Sequence, residues 1–158
     1  MSKRFSIFSV LVLAHCLLFL QPLLSQVTNR QALAEFDHIA LHVRDLGKST
    51  QFYRDTIGLQ QVADPFKDDR HVFFRLSPRT QLHLIAGAKD ALQRDIDVHF
   101  ALRVPSVESF RQLLARNKVK YFTSKMEEGA VTTRPDGIKQ IYLQDPDGYW
   151  IEVNDSRL

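Results

Sequence analysis

One short segment occurs twice in this chain. The hexapeptide HIALHV at residues 38–43 returns as HFALRV at residues 99–104. Each copy is a mostly apolar run typical of a strand, and each is followed by apolar residues at the spacing of an amphipathic helix. A chain that repeats a strand and a helix in this way is expected to fold as two similar halves around one core.

Capping residues bound both predicted helices. Asp45 precedes the first helical pattern and Gly58 follows it. Ser106 and Asn117 stand at the two ends of the second pattern. Such residues satisfy the free backbone groups at helix ends, so each half is predicted to begin as a strand followed by a helix.

Shorter strand-like runs follow each helix. Turn residues join them into one hairpin in each half, at residues 72–76 with 81–85 and at residues 140–143 with 149–153. The predicted fold class is therefore α+β, with module one at residues 36–86 and module two at residues 97–155. Residues 63–71 are predicted to be a surface loop, and residues 88–97 a polar linker.

The N-terminus has the pattern of a secretory signal. Lys3 and Arg4 precede an uncharged, mostly apolar run at residues 5–24. We therefore expect residues 1–25 to be a signal peptide and residues 26–35 a linker, with the protein exported to the periplasm or secreted. The alternative is an uncleaved membrane anchor, because about 20 apolar residues just span a bilayer.

Composition excludes some functions. The chain has 21 Lys and Arg residues against 18 Asp and Glu, and the predicted signal contains Lys3 and Arg4. The mature protein is therefore almost neutral, and no nucleic-acid partner is expected. Cys16, the only cysteine, also lies in the predicted signal. Cysteine nucleophiles, disulfides and cysteine-based zinc sites are thereby excluded from the mature protein.

The repeated strand has one polar face. Alternate strand residues share a face, so His38 and His42 lie together in the first copy, and His99 and Arg103 in the second. An alanine separates the two polar residues in each copy, which leaves space beside them. We interpret this face as the wall of a cavity, with His42 and Arg103 as candidate substrate contacts.

Two later strands each carry one polar residue in an apolar setting, His83 and Glu152. Burying an unpaired carboxylate among apolar residues costs on the order of several kcal/mol of folding free energy. Each residue therefore needs a partner. The repeat predicts that His38, His83, His99 and Glu152 converge on one metal.

A single strand histidine is more often a hydrogen-bonded core or rim residue than a ligand. The equivalent positions of His38 and His99 favour ligation over that alternative. His71 stands among Asp68, Asp69 and Arg70 and is expected to be solvated.

Motifs in four places carry a family resemblance. They are FDHIALHVRD at residues 36–45, FY at 52–53 with IGL at 57–59, the His99 strand, and DPDGYWIEV at 145–153. The chain resembles the vicinal-oxygen-chelate superfamily, which includes glyoxalase I, fosfomycin-resistance thiol transferases, extradiol dioxygenases and bleomycin-binding proteins. The likeness covers residues 36–155, and the last motif is most similar to glyoxalase I.

The resemblance implies paired βαβββ modules whose mixed sheets curl around a metal site. It also implies a homodimer with a site shared between modules, and a divalent metal at the positions of His38, His83, His99 and Glu152. Two positions depart from glyoxalase I. Its bacterial members usually have glutamate at the position of His83 and often arginine at the position of His42, so its acid–base arrangement does not transfer whole.

Three imidazoles and one carboxylate favour Zn, Ni, Co or Fe(II) over Mg or Ca. A metal with open positions binds a substrate with two adjacent oxygens and stabilises an enediolate. The expected function is that of a glyoxalase-like lyase or isomerase acting on a small molecule, with Glu152 and His83 as candidate catalytic residues. The alternatives are a non-haem Fe(II) dioxygenase that uses His38 or His83 with His99 and Glu152, and a protein that sequesters a small molecule without turnover.

Overall fold

The computed structural model describes residues 34–90 and 93–157. The predicted signal peptide and all but the last two residues of the predicted linker lie outside these ranges. The chain divides into a unit Met1–Glu35 and a unit Phe36–Leu158. In the part of the chain that the structure describes, no helix has both the length and the apolar character needed to cross a membrane.

The second unit contains both predicted modules. Module one comprises β1 (His38–Val43), α1 (Leu46–Gln51) continued by a π-helical segment (Phe52–Ile57), β2 (Gln60–Val62), β3 (His71–Ser77) and β4 (Thr80–Ala86). Module two comprises β5 (His99–Arg103), α2 (Val107–Arg116), β6 (Thr132–Thr133), β7 (Lys139–Gln144) and β8 (Trp150–Asn154). The predicted α+β class and the predicted order of strand, helix and hairpin are confirmed.

The two modules form two mixed sheets with the same strand order. One sheet runs β1-β4-β3-β2 and the other β5-β8-β7-β6. The repeated strand pairs in parallel with the last strand of its module in both cases, and the other pairs are antiparallel. A parallel pair requires a crossover connection, which the helix and the intervening strands provide. The strand carrying the first predicted ligand therefore lies beside the strand carrying the second.

Helix capping agrees with the sequence pattern. The Asp45 carboxylate accepts a hydrogen bond from the Lys48 N–H at 3.0 Å. The Ser106 hydroxyl accepts one from the Ser109 N–H at 3.2 Å. Gly58 ends the first helical segment with φ of 84°, a left-handed conformation in which a Cβ is strained.

The apolar faces of both sheets pack into one core. Leu41 and Val43 are buried on β1, whereas His38, Ala40 and His42 on its other face are exposed. The fully buried part of the core draws on both modules and includes Tyr53, Phe74, Leu82, Leu84, Leu114, Ile141, Leu143 and Ile151. Burial of this size supplies the main driving force for folding and leaves the histidine-bearing faces outside the core.

A buried hydrogen bond joins the two modules. The Tyr53 hydroxyl donates to the Asp145 carboxylate at 2.8 Å, and backbone N–H groups of Asp147 and Tyr149 donate to the other oxygen at 2.9 and 2.8 Å. Burial and the adjacent Asp145 charge raise the pKa of Tyr53 well above its ordinary value. The hydroxyl therefore stays protonated, and able to donate, at neutral pH.

Tyr53→Phe is expected to lower the free energy of unfolding by about 1 to 2 kcal/mol, because it leaves an Asp145 oxygen buried without its donor. Urea denaturation at neutral pH measures the change. Tyr121→Phe is a control nearer the surface, where the hydroxyl donates to the Gly129 carbonyl and accepts from the Arg111 guanidinium, and a smaller loss is expected there. Equal losses in the two variants would contradict the importance of the buried bond.

The prediction for the 63–71 loop is wrong at its end. His71 is the first residue of β3, and its Nδ1 lies 2.8 Å from the Asp68 carboxylate. Its side chain is only 17% exposed, so it is not the solvated residue that its charged neighbours indicated. The described residues of the 88–97 linker form no helix or strand. That linker is nonetheless anchored, because the Trp150 indole N–H donates to the Arg94 carbonyl.

Candidate metal centre

His38 and His83 form the first pair of predicted ligands. Ala40 on β1 lies opposite His83 on β4, which places His38 diagonally beside His83 on the exposed face of the sheet. The two imidazole rings are stacked, with centroids 4.2 Å apart and planes 14° from parallel. We call this pair half-site one.

Hydrogen bonds fix which nitrogen of each ring is free. The Nδ1 of His38 donates to the Asp37 carboxylate at 2.6 Å, which leaves a lone pair on Nε2. The Nε2 of His83 donates to the side-chain oxygen of Gln81 at 3.0 Å, which leaves a lone pair on Nδ1. Partners of this kind orient an imidazole as a metal ligand.

His83 is biased toward its neutral form. Burial lowers the pKa of its imidazole, and the neighbouring His38 lowers it further. Only a neutral imidazole has the lone pair that a metal or a proton requires. His83 therefore meets the chemical condition for either predicted role at neutral pH.

His99 and Glu152 form the second pair, which we call half-site two. Ala101 on β5 lies opposite Glu152 on β8, the same arrangement as Ala40 and His83 in module one. The Nε2 of His99 is 3.4 Å from the Glu152 carboxylate. The internal repeat thus places an alanine beside the second predicted ligand in both modules.

The hydrogen bonding of half-site two leaves a place for a cation. The Nδ1 of His99 donates to the Ile96 carbonyl at 2.7 Å, so Nε2 is the ring nitrogen that faces the Glu152 oxygen. Two acceptors at 3.4 Å repel each other unless a proton or a metal lies between them. Nitrogen and oxygen ligands about 2.1 Å from a tetrahedral zinc are themselves separated by about 3.4 Å. The spacing fits a shared metal.

Glu152 is held on both sides. The Tyr142 hydroxyl donates to one carboxylate oxygen at 2.8 Å, and the Asn154 amide donates to the other at 2.7 Å. The Gln140 amide donates in turn to the Tyr142 hydroxyl at 3.1 Å. Burial and the bond to Glu152 raise the pKa of Tyr142. This network holds the buried Glu152 carboxylate in one orientation.

The four predicted ligands come together in pairs within one chain. Among the described residues, no group of three or more His, Cys, Asp or Glu side chains is placed to hold a metal ion. Half-site one lies on the sheet of module one and half-site two on the sheet of module two. One chain therefore presents two separate halves of the predicted four-ligand set.

The two predicted substrate contacts lie on the same faces. His42 shares the exposed face of β1 with His38, and its backbone N–H donates to the Tyr149 hydroxyl at 3.0 Å. Arg103 lines a cavity of about 380 Å³ together with Leu59, Leu76 and Phe110. Neither placement tests a contact with substrate, so the proposed roles of His42 and Arg103 stay predictions.

Four supporting residues were missed by the sequence analysis. They are Asp37, Gln81, Tyr142 and Asn154, each hydrogen-bonded to a predicted ligand. Two carry a signal in the sequence, because Gln81 and Asn154 are two residues from His83 and Glu152 and so share their strand faces. Tyr142 carries none, since its contact depends on how β7 pairs with β8.

Comparisons with known proteins agree with this architecture. Uncharacterized protein YwbC of Bacillus subtilis (strain 168) is 28% identical over 123 residues, which are 73% of this chain and 93% of that protein. The solved structure of oxidase ChaP-H2 matches with a TM-score of 0.66 at 15% identity, over 80% of this chain and 96% of that one. A lactoylglutathione lyase from Agrobacterium tumefaciens matches with a TM-score of 0.58 at 21% identity, over 80% and 96%.

The structural matches establish the fold, and the family follows from sequence. The family model described as the Glyoxalase/Bleomycin resistance protein/Dioxygenase superfamily matches residues 35–153. This range includes module one, all but the last two residues of module two, and all four predicted ligands. The chain therefore belongs to the glyoxalase/bleomycin resistance protein/dioxygenase superfamily.

Proposed function

We propose that the protein is a divalent-metal-dependent lyase or isomerase of glyoxalase type, acting on a small substrate with two adjacent oxygens. We further propose that half-site one of one chain and half-site two of a second copy together hold the metal in a homodimer. The observation that carries this proposal is the contact between His99 and Glu152, in which the ring Nε2 and a carboxylate oxygen lie 3.4 Å apart. A shared metal accounts for that spacing without requiring a proton between the two atoms.

The donor set fits a borderline transition metal such as Zn, Ni, Co or Fe(II). When bound, such a metal supplies polarisation of the substrate oxygens and stabilises an enediolate. His38, His99 and Glu152 would act as ligands. A hydrogen bond holds Nδ1 of each histidine and Oε1 of Glu152, and it leaves a second atom of the same side chain to face the metal. His42 and Arg103 would contact the substrate.

We propose different roles for the two candidate catalytic residues, His83 and Glu152. Glu152 is held at both oxygens, which favours a fixed ligand over a base that moves. The free Nδ1 of His83 and its lowered pKa suit it to accept a proton from the substrate, as well as to bind metal. The uncharged apolar run at residues 5–24 supports an exported location for this activity.

A second candidate uses nearly the same residues. If one imidazole of half-site one stays off the metal, the remaining set of two histidines and Glu152 is that of non-haem Fe(II) oxygenases. The stacking of His38 on His83 favours this candidate, since only one of two stacked rings needs to bind. Oxygen consumption with catechol in the presence of Fe(II) distinguishes an oxygenase from a lyase.

Complementation between two inactive variants tests the proposed site. The first variant is His38→Ala with His83→Ala, and the second is His99→Ala with Glu152→Ala. Each variant alone is expected to retain no zinc after dialysis. Refolding them together forms mixed dimers that contain one intact site, so we expect about one quarter of the wild-type zinc content and of the turnover of hemithioacetals.

Elemental analysis measures the zinc, and sedimentation velocity checks that the species are dimers. A mixture that stays as empty as its components would show that the two half-sites do not meet across chains. Full zinc content in either variant alone would contradict the four-ligand site. Purified wild-type protein that binds no metal would favour a binding protein without turnover.

A further inference from the structure

A row of rings leads from the loop before β3 along the face of the first sheet that carries His83, and it ends at half-site one. Phe66 lies 4.8 Å from His71 and 6.1 Å from Phe73, measured between ring centroids. Phe73 is buried and lies 4.2 Å from His83, which is stacked on His38. We call Phe66, His71 and Phe73 the aromatic wall. Its far end is open, because Phe66 is 64% exposed.

The loop before β3 holds Phe66 in place. The Asp64 carboxylate accepts hydrogen bonds from the Phe66 N–H at 2.8 Å and from the Asp68 N–H at 3.1 Å. The Asp68 carboxylate accepts from the Arg70 N–H and contacts the His71 ring. An exposed phenyl ring on a loop organised in this way binds a ligand with little loss of conformational entropy.

The strand side chains beside half-site one favour an oxygen anion there, whereas the carboxylates of Asp64 and Asp68 lie at the other end of the wall. Strand pairing places His38, His42 and His83 of β1 and β4 on this face of the sheet. It places no Asp or Glu of strands β1 to β4 there. Arg75 lies on the same face of β3 and is exposed. No hydrogen bond or ion pair engages its side chain within residues 34–90 and 93–157. Asp37 beside this face is already bonded to His38.

We propose that the aromatic wall binds a planar aromatic group of the substrate, whose adjacent anionic oxygens lie at half-site one. This inference rests on the proposed function, because it identifies the substrate class of that same site. A planar ring stacks or meets ring edges at centroid separations of about 4.5 to 7 Å, which is the spacing within the wall. An aliphatic group of similar size buries apolar area there but gains no such stacking.

A pair of hydroxamates tests the inference without requiring turnover. Benzohydroxamate and acetohydroxamate present the same two adjacent oxygens and differ in a phenyl or methyl substituent. With zinc-loaded protein, isothermal titration is expected to show benzohydroxamate binding at least about fivefold more tightly, equivalent to about 1 kcal/mol. The ratio is corrected for the affinities of the two compounds for free zinc.

Variants of Phe66 assign the preference to the wall. Phe66→Ala is expected to abolish the preference for benzohydroxamate while leaving the affinity for acetohydroxamate unchanged. Phe66→Tyr retains the ring and is expected to retain the preference. Because Phe66 is exposed, neither change threatens folding.

The outcomes separate this inference from the function on which it rests. Equal affinities in the wild-type protein, or a preference that survives Phe66→Ala, would overturn the aromatic wall and leave the metal-dependent function intact. Protein that binds zinc but neither hydroxamate would also overturn the wall. Protein that binds no zinc would overturn the proposed function, and the inference with it.

Discussion

Glu152→Gln is expected to weaken zinc binding by at least about a hundredfold, since substitution of even an outer-shell partner commonly costs 10- to 100-fold. The change replaces the carboxylate of the proposed ligand with a neutral amide. The Tyr142 hydroxyl keeps an oxygen to which it can donate, and the bond from the Asn154 amide is lost. Because only one bond of this network is lost, the fold should persist. Isothermal titration with zinc measures the affinity, elemental analysis the metal content, and turnover of hemithioacetals should fall in parallel.

Glu108→Gln provides the matched control. Glu108 is an exposed glutamate on α2, ion-paired with Arg111 at 2.9 Å and remote in sequence from either half-site. Its neutralisation should change neither zinc affinity nor turnover. If the Glu152 variant retained wild-type metal content and activity, Glu152 would not be a ligand. The proposed metal site would then have no carboxylate ligand.

Asp147→Ala is expected to lower the free energy of unfolding by about 3 kcal/mol at neutral pH, because it leaves the buried Ser49 hydroxyl and the part-buried Arg44 backbone N–H without an acceptor. The Asp147 carboxylate accepts from the Arg44 backbone N–H at 2.9 Å, from its guanidinium at 3.1 Å and from the buried Ser49 hydroxyl at 2.7 Å. These bonds join module one to the turn before β8. Urea denaturation of the wild-type and variant proteins measures the difference.

The stability difference between the wild-type protein and Asp147→Ala should also depend on pH. Burial opposes the Asp147 charge, but the hydrogen bonds from Arg44 and Ser49 outweigh it, and the pKa is lowered from 3.8. Stability that depends on a lowered carboxyl pKa is fully present above the ordinary value and is lost as the pH falls through the folded-state value. The gap between wild type and variant should therefore be constant from pH 7 to 5 and narrow below pH 4, roughly where the unfolded carboxyl titrates.

Asp136→Ala is the control for Asp147. Its carboxylate pairs with Arg134 at 2.7 Å on the surface, where ion pairs contribute little. Its removal should leave unfolding almost unchanged at every pH. A gap for Asp147→Ala that was no larger than that of this control, or that widened in acid, would contradict the proposed role of the buried carboxylate.

Local patterns were sufficient to predict much of the molecule. Alternation along HIALHV identified Leu41 and Val43 as core and left His38 on the opposite face, because the strand period of two needs no knowledge of distant residues. Asp45 and Ser106 were predicted as N-caps because capping involves residues three apart. The internal repeat predicted two equivalent modules, and the family resemblance agreed.

Contacts between distant segments were decided by the tertiary structure. Strand register placed Tyr142 against Glu152, and the course of the chain before β3 brought Phe66 and His71 to the rings beside half-site one. The packing of the two modules on one core separated half-site one from half-site two. Periodicity specifies which face a side chain occupies, whereas the distance between two faces depends on how sheets pack and chains associate. The sequence alone therefore determined the predicted ligands, and only the tertiary structure decided how they are paired within one chain.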